Sequence, residues 1–100
     1  MKAYEGITVP SGGRYVFVRE NEKERTLLAN GEYKFSWRKI GPKMNFLAYY
    51  ILLDFFNRED LAEMFYAQFA IEIVSFFKQG YWYLSSMDIE SWLQQWEFKE

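Results

Sequence analysis

The 100-residue sequence has neither cysteine nor histidine. Without cysteine there is no disulfide, no thiolate nucleophile, no iron–sulfur cluster and no Cys-ligated zinc. Without histidine there is no imidazole base, no Ser-His pair and no facial-triad metal site, because each needs a ring nitrogen that titrates or coordinates near neutrality. Most hydrolytic and metal mechanisms are thereby excluded, and the expectation is a non-enzymatic protein with no catalytic residue, no metal and no cofactor. Long apolar runs are lacking too. The stretch Met44–Phe56 is shorter than the roughly 20 residues of a membrane span, and it carries Asn45 and Asp54. Glu5, Pro10, Gly12, Gly13 and Arg14 fall where a signal peptide would place its apolar segment. A cytoplasmic protein with no membrane partner is expected.

What the sequence has in abundance is aromatic surface, with ten Phe, eight Tyr and four Trp in a chain that is 50% apolar. So much buriable area opposes disorder, and at this length it supplies one modest core, hence a single domain over residues 1–100. The formal net charge of −2 conceals a division. Met1–Lys43 holds nine basic and five acidic residues, a balance of +4, which leaves −6 for the remainder. Such a division gives either an anion-facing surface or two parts that attract each other in the fold, and the second is the plainer reading.

Residues 1–40 read mostly as strands and residues 42–97 mostly as helices. Ala3–Val9 and the β-branched and aromatic Arg14–Arg19 flank Ser11-Gly12-Gly13 and predict a hairpin. Glu20–Arg25 then reads as a charged tip. Extended structure resumes at Thr26-Leu27-Leu28, and Asn30-Gly31 suits a type I′ turn. Tyr33, Phe35 and Trp37 alternate with Lys34 and Ser36, which predicts one more strand with its aromatics on one face. At Gly41-Pro42 the period becomes helical. Pro42 suits the first turn of a helix running to about Phe56, because its missing N–H would have no intrahelical partner there. Asn57 reads as the N-cap of a second helix, begun by Glu59, Asp60 and Glu63, continued through Leu61, Phe65, Phe69, Ile73 and Phe76, and stopped by a left-handed Gly80. Tyr81-Trp82-Tyr83 reads as an extended link. Ser85 and Asp88 fit a capping box, with Leu84 packing on Ile89, and open a last helix ending near Glu97. Strands followed by helices give an α+β class: a small antiparallel sheet of three to four strands packed on about three helices.

Several landmarks, Tyr4-Glu5-Gly6, Phe35-Ser36-Trp37, Gly41-Pro42, Leu47-Ala48 with the helix after them, Ala62 with Tyr66 and Phe69, and Trp82-Tyr83-Leu84, stand in an order that resembles a family of small α+β domains of unknown function from bacteria, phages and archaea. Within that resemblance the chain is most similar to short proteins of double-stranded DNA viruses of thermoacidophilic archaea. The resemblance covers nearly the whole chain. It implies a fold type, a thermostable protein, a viral accessory role and residence in the host cytoplasm, and it implies no reaction. Where family members often carry Trp-Gly-Tyr-Gly-Gly-Ser-Gly-Pro, this chain has the shorter, basic Trp37-Arg38-Lys39-Ile40-Gly41-Pro42.

Three sets of residues are candidates for function. The loop Trp37, Arg38, Lys39, Gly41, Pro42 and Lys43 gathers cations at a helix N-terminus, a trap for phosphate or carboxylate, although Phe35, Trp37 and Pro42 packing at a strand-to-helix corner with the basic residues solvated is the plainer reading. Arg14, Tyr15, Phe17 and Arg19 would serve nucleic acid by stacking on bases and pairing with phosphates, although their alternation is that of any half-buried strand. Glu59, Asp60, Glu63 and Asp54 carry carboxylates, the first three explained by the helix dipole and Asp54 by an ion pair with the basic half. Finally, 22% aromatic residues are many for one small interior, and an uncovered aromatic patch would bind a protein partner or a second copy of the chain. That is the leading expectation, with nucleic-acid or anion binding as the alternative.

Overall fold

A computed structural model of the chain describes residues 2–27, 35–37 and 39–96. Lys2–Thr8 (β1) and Arg14–Glu20 (β2) form the expected antiparallel hairpin, with Tyr4 opposite Val18 and Gly6 opposite Val16. Its turn uses Gly12 at a φ of +95°, a left-handed geometry in which a side chain would be strained. The segment expected as a charged tip is shorter than that. Asn21 and Glu22 both take positive φ, as a two-residue hairpin turn requires, and Lys23–Thr26 (β3) pairs back onto β2. The alternating Phe35–Trp37 belongs to no strand, which corrects the expected aromatic strand. Phe35 and Trp37 are buried while Ser36 is half-buried, so the alternation reported a covered segment rather than a ladder. Leu28, the turn expected at Asn30-Gly31, and Tyr33 lie outside the described residues.

The first helix, Pro42–Phe56 (α1), has its expected bounds, with proline in its first turn. Asn57 closes this helix instead of opening the next. Its φ of 56° is left-handed, tolerable for asparagine, and its N–H donates to the Leu53 carbonyl. The second helix, Glu59–Glu72 (α2), starts from the extended Arg58 and stops earlier than expected. Ile73 leads into a 3-10 turn over Val74–Phe76. Gly80 is not left-handed; its carbonyl accepts from the Thr8 N–H and so begins a strand ladder.

That strand, Tyr81–Ser85 (β4), is the fold's principal departure from the sequence reading. It pairs antiparallel with β1, Gly6 opposite Trp82 and Tyr4 opposite Leu84, and sets the sheet order β3-β2-β1-β4. The last helix, Ser86–Gln95 (α3), opens on the expected capping box. The Ser85 hydroxyl accepts from the Asp88 N–H at 3.1 Å, and the Asp88 carboxylate accepts from the Ser85 N–H at 3.0 Å. Helices and sheet share one core, in which Tyr4, Val18, Trp82 and Leu84 of the sheet meet Leu47, Ile51, Phe69, Ile89 and Trp92 of the helices. Because successive strand residues point to opposite faces, Glu5, Ile7, Tyr15, Phe17, Arg19, Tyr81 and Tyr83 lie on the other face.

Candidate interaction site

Trp37, expected in a binding loop, is instead 1% exposed. Its indole N–H donates to the Gln79 carbonyl at 3.1 Å, and its ring meets the edge of Trp82 at 5.6 Å. Trp82 stacks on Phe77 with centroids 4.0 Å apart. On its other side lies Gly6, where an added Cβ would fall 2.2 Å from the Trp82 indole nitrogen. The landmarks Tyr4-x-Gly6, Phe35-x-Trp37 and Trp82-x-Leu84 thus meet in one packing arrangement.

DUF6166, a family of unknown function, matches residues 4–95. The chain belongs to this family. Comparison with curated proteins and with solved structures gave no match. The DUF6166 match runs from within β1 to the end of α3 and so takes in most of β1, the other three strands and all three helices.

Around the start of α1 this DUF6166 domain gathers more than the loop itself. Arg14, placed by sequence among the nucleic-acid candidates, sits with its guanidinium 5.4 Å from the Trp37 ring centre. With Ser36, Lys39, Ile40, Gly41, Pro42 and Lys43 it lines a depression of about 440 Å³. Among the described residues its buried Nε has no hydrogen-bond partner. Three cations beside a helix N-terminus are an arrangement suited to an anion. Arg38 lies outside the described residues.

The remaining nucleic-acid candidates are on the open sheet face, apart from that depression. Cross-strand register arranges them in rows. Tyr15, Ile7 and Tyr81 form one; Thr26, Phe17, Glu5 and Tyr83 the next; Glu24, Arg19, Ala3 and Ser85 the third. Tyr15, Tyr81 and Tyr83 are 47%, 49% and 52% exposed, enough to offer their rings to a partner. In the middle, the Glu5 carboxylate accepts from the Tyr81 hydroxyl at 2.7 Å and from Arg19 Nε at 2.6 Å, and Arg19 also reaches Glu24 at 3.2 Å. The Tyr81 hydrogen bond and then Arg19 hold Glu5 below the usual carboxylate range against its burial, while the same bond pushes the Tyr81 hydroxyl up. Arg19 is therefore committed to two carboxylates rather than offered to phosphate. The sequence reading missed Tyr81 and Tyr83, because only the pairing of β4 with β1 brings them to this face.

The carboxylates read as structural elsewhere too. Asp54 is held by Arg25 at 2.6 Å, Lys2 at 3.1 Å and the Tyr4 hydroxyl at 2.8 Å. Asp60 pairs with Arg58, and Glu72 accepts from the Trp92 indole at 2.9 Å and from Gln68. Among the described residues no group of acidic side chains is placed to hold a metal ion, and no helix is long and apolar enough to cross a membrane.

Proposed function

We propose that this DUF6166 domain is a non-enzymatic interaction module that binds a protein partner through the open face of its sheet. One observation carries the reading: four exposed or half-buried aromatics, Tyr15, Phe17, Tyr81 and Tyr83, surround a charge network whose members already satisfy one another. Aromatic rings with a polar tip give large contact area at small entropic cost and are enriched in protein interfaces. A nucleic-acid surface needs uncommitted cations for the phosphates. Here the charges are Glu5, Glu24 and the doubly paired Arg19. The resemblance to short proteins of archaeal viruses extends the proposal to an accessory role in the host cytoplasm.

A photo-crosslinking residue at Tyr15, compared with one at the exposed Glu90 of α3, tests it in cells that express the protein. Protein adducts from position 15 and none from position 90 are expected. Equal yields at both positions overturn the assignment of the face. Crosslinks to nucleic acid in place of protein, with salt-sensitive oligonucleotide binding, overturn the choice of partner.

A further inference from the structure

The two edges of the sheet differ in a way that bears on self-association. β3 carries Lys23, Glu24 and Arg25 in four exposed residues, the charged character with which proteins guard an open edge. β4 is Tyr-Trp-Tyr-Leu-Ser and has no charge. The hydrogen bond from Thr8 to Gly80 fixes which groups of β4 face β1. Gly80, Trp82 and Leu84 point their N–H and C=O inward to β1, so Tyr81, Tyr83 and Ser85 point theirs away from the sheet. The Ser85 N–H is taken by Asp88. Among the described residues, nothing bonds the outward groups of Tyr81 and Tyr83.

We propose that β4 pairs antiparallel with β4 of a second copy, about a twofold axis at Trp82, joining two sheets into one of eight strands. In that register Tyr81 faces Tyr83 of the other copy, and each such pair exchanges two backbone hydrogen bonds. All the outward donors and acceptors of both tyrosines are then satisfied. The axis of a self-pairing strand sets one residue against itself, so a charge at the centre of the strand opposes pairing; β4 has no charge there, whereas β3 would set Lys23, Glu24 or Arg25 against itself. A strand of an unrelated protein imposes no such condition, which is why a second copy is the occupant. The four tyrosines then form one cluster where the open faces of the two copies join. This surface is the edge of the sheet, distinct from the face assigned above to a protein partner.

Light scattering on the full chain reads the mass directly. The wild type is expected at twice its 12.1 kDa. Tyr81→Lys with Tyr83→Lys puts lysine opposite lysine in both pairs and should return the mass to that of the monomer. Tyr81→Glu with Tyr83→Lys, altered at the same two positions, puts glutamate opposite lysine and should restore the dimer. Circular dichroism identifies variants that remain folded, and Tyr83→Pro, which takes away an outward N–H and leaves the N–H groups that face β1, is a second way to break the pairing. A monomeric wild type, a dimer indifferent to the lysine pair, or a folded Glu–Lys variant that stays monomeric each overturns the proposal. The mass is read on the purified wild-type chain and the position-15 adducts with other proteins in cells, so a monomer that still gives those adducts overturns only the pairing, and a dimer without them only the face.

Discussion

At the scale of single residues, the sharpest constraint is between Gly6 and Trp82. Gly6 does not take a left-handed φ, so conformational freedom does not explain it. The indole of its cross-strand neighbour occupies the space a side chain would need. Trp82 is 4% exposed, and its N–H has no partner among the described residues, an unfavourable burial offset by the Phe77 stack and the Trp37 edge. Gly6→Ala is therefore expected to destabilise the fold by about 1–3 kcal/mol, read as a lower midpoint in urea with an unchanged slope. Nothing local in Tyr4-Glu5-Gly6 announces this. The reason for the glycine stands near the other end of the chain. Trp37 illustrates the same limit from the opposite side: its basic neighbours suggested a binding loop, whereas its ring is core.

At the scale of elements, boundaries written in local chemistry were legible. Pro42 started α1 where a missing N–H does no harm, and Ser85 with Asp88 started α3 through two reciprocal hydrogen bonds. Ser85→Ala should cost about 1 kcal/mol in thermal or urea unfolding, with hydrogen exchange accelerated first in the opening turn of α3. Asn57 was misread because an asparagine between two helices suits either cap; which one it serves depends on its own φ. β4 was misread for a different reason. Tyr-Trp-Tyr-Leu-Ser carries strand propensity, but a strand exists only with a partner, and the partner is β1. The open face was half legible for that reason: Tyr15, Phe17 and Arg19 could be seen in sequence, Tyr81 and Tyr83 could not. In the same way, Arg14 joins Lys39 and Lys43 only through the packing of β2 against the segment before α1.

At the scale of the whole molecule, the two halves of opposite charge are joined at Asp54. Two cations of the basic half, Lys2 and Arg25, converge on this one carboxylate of the acidic half, and Tyr4 donates to it from inside the core. Burial opposes its ionisation, but Arg25, Tyr4 and Lys2 together outweigh burial and hold its acidity below the usual carboxylate range. A carboxylate whose folded pKa lies below its unfolded one stabilises the fold above the unfolded value, and that contribution is lost as pH falls through the folded value. Asp54→Asn should cost about 1–3 kcal/mol at neutral pH. The gap between variant and wild type should close as unfolding is followed into acid, and a gap that stays constant would show that the charge of Asp54 is not what matters.

The pairing of β1 with β4 also sets the order in which the molecule is assembled. The β1–β2 hairpin and the α1–α2 pair are each local and can form early. Tyr4 meets Leu84, by contrast, only after two further strands and the first two helices have been made. Closing so long a loop adds little to the equilibrium cost, since that cost grows only with the logarithm of loop length, but contacts distant in sequence slow the search. On the ribosome β4 emerges after β2, β3, α1 and α2, so β1 waits for it, with the bare flank of Gly6 uncovered until Trp82 arrives to close the core.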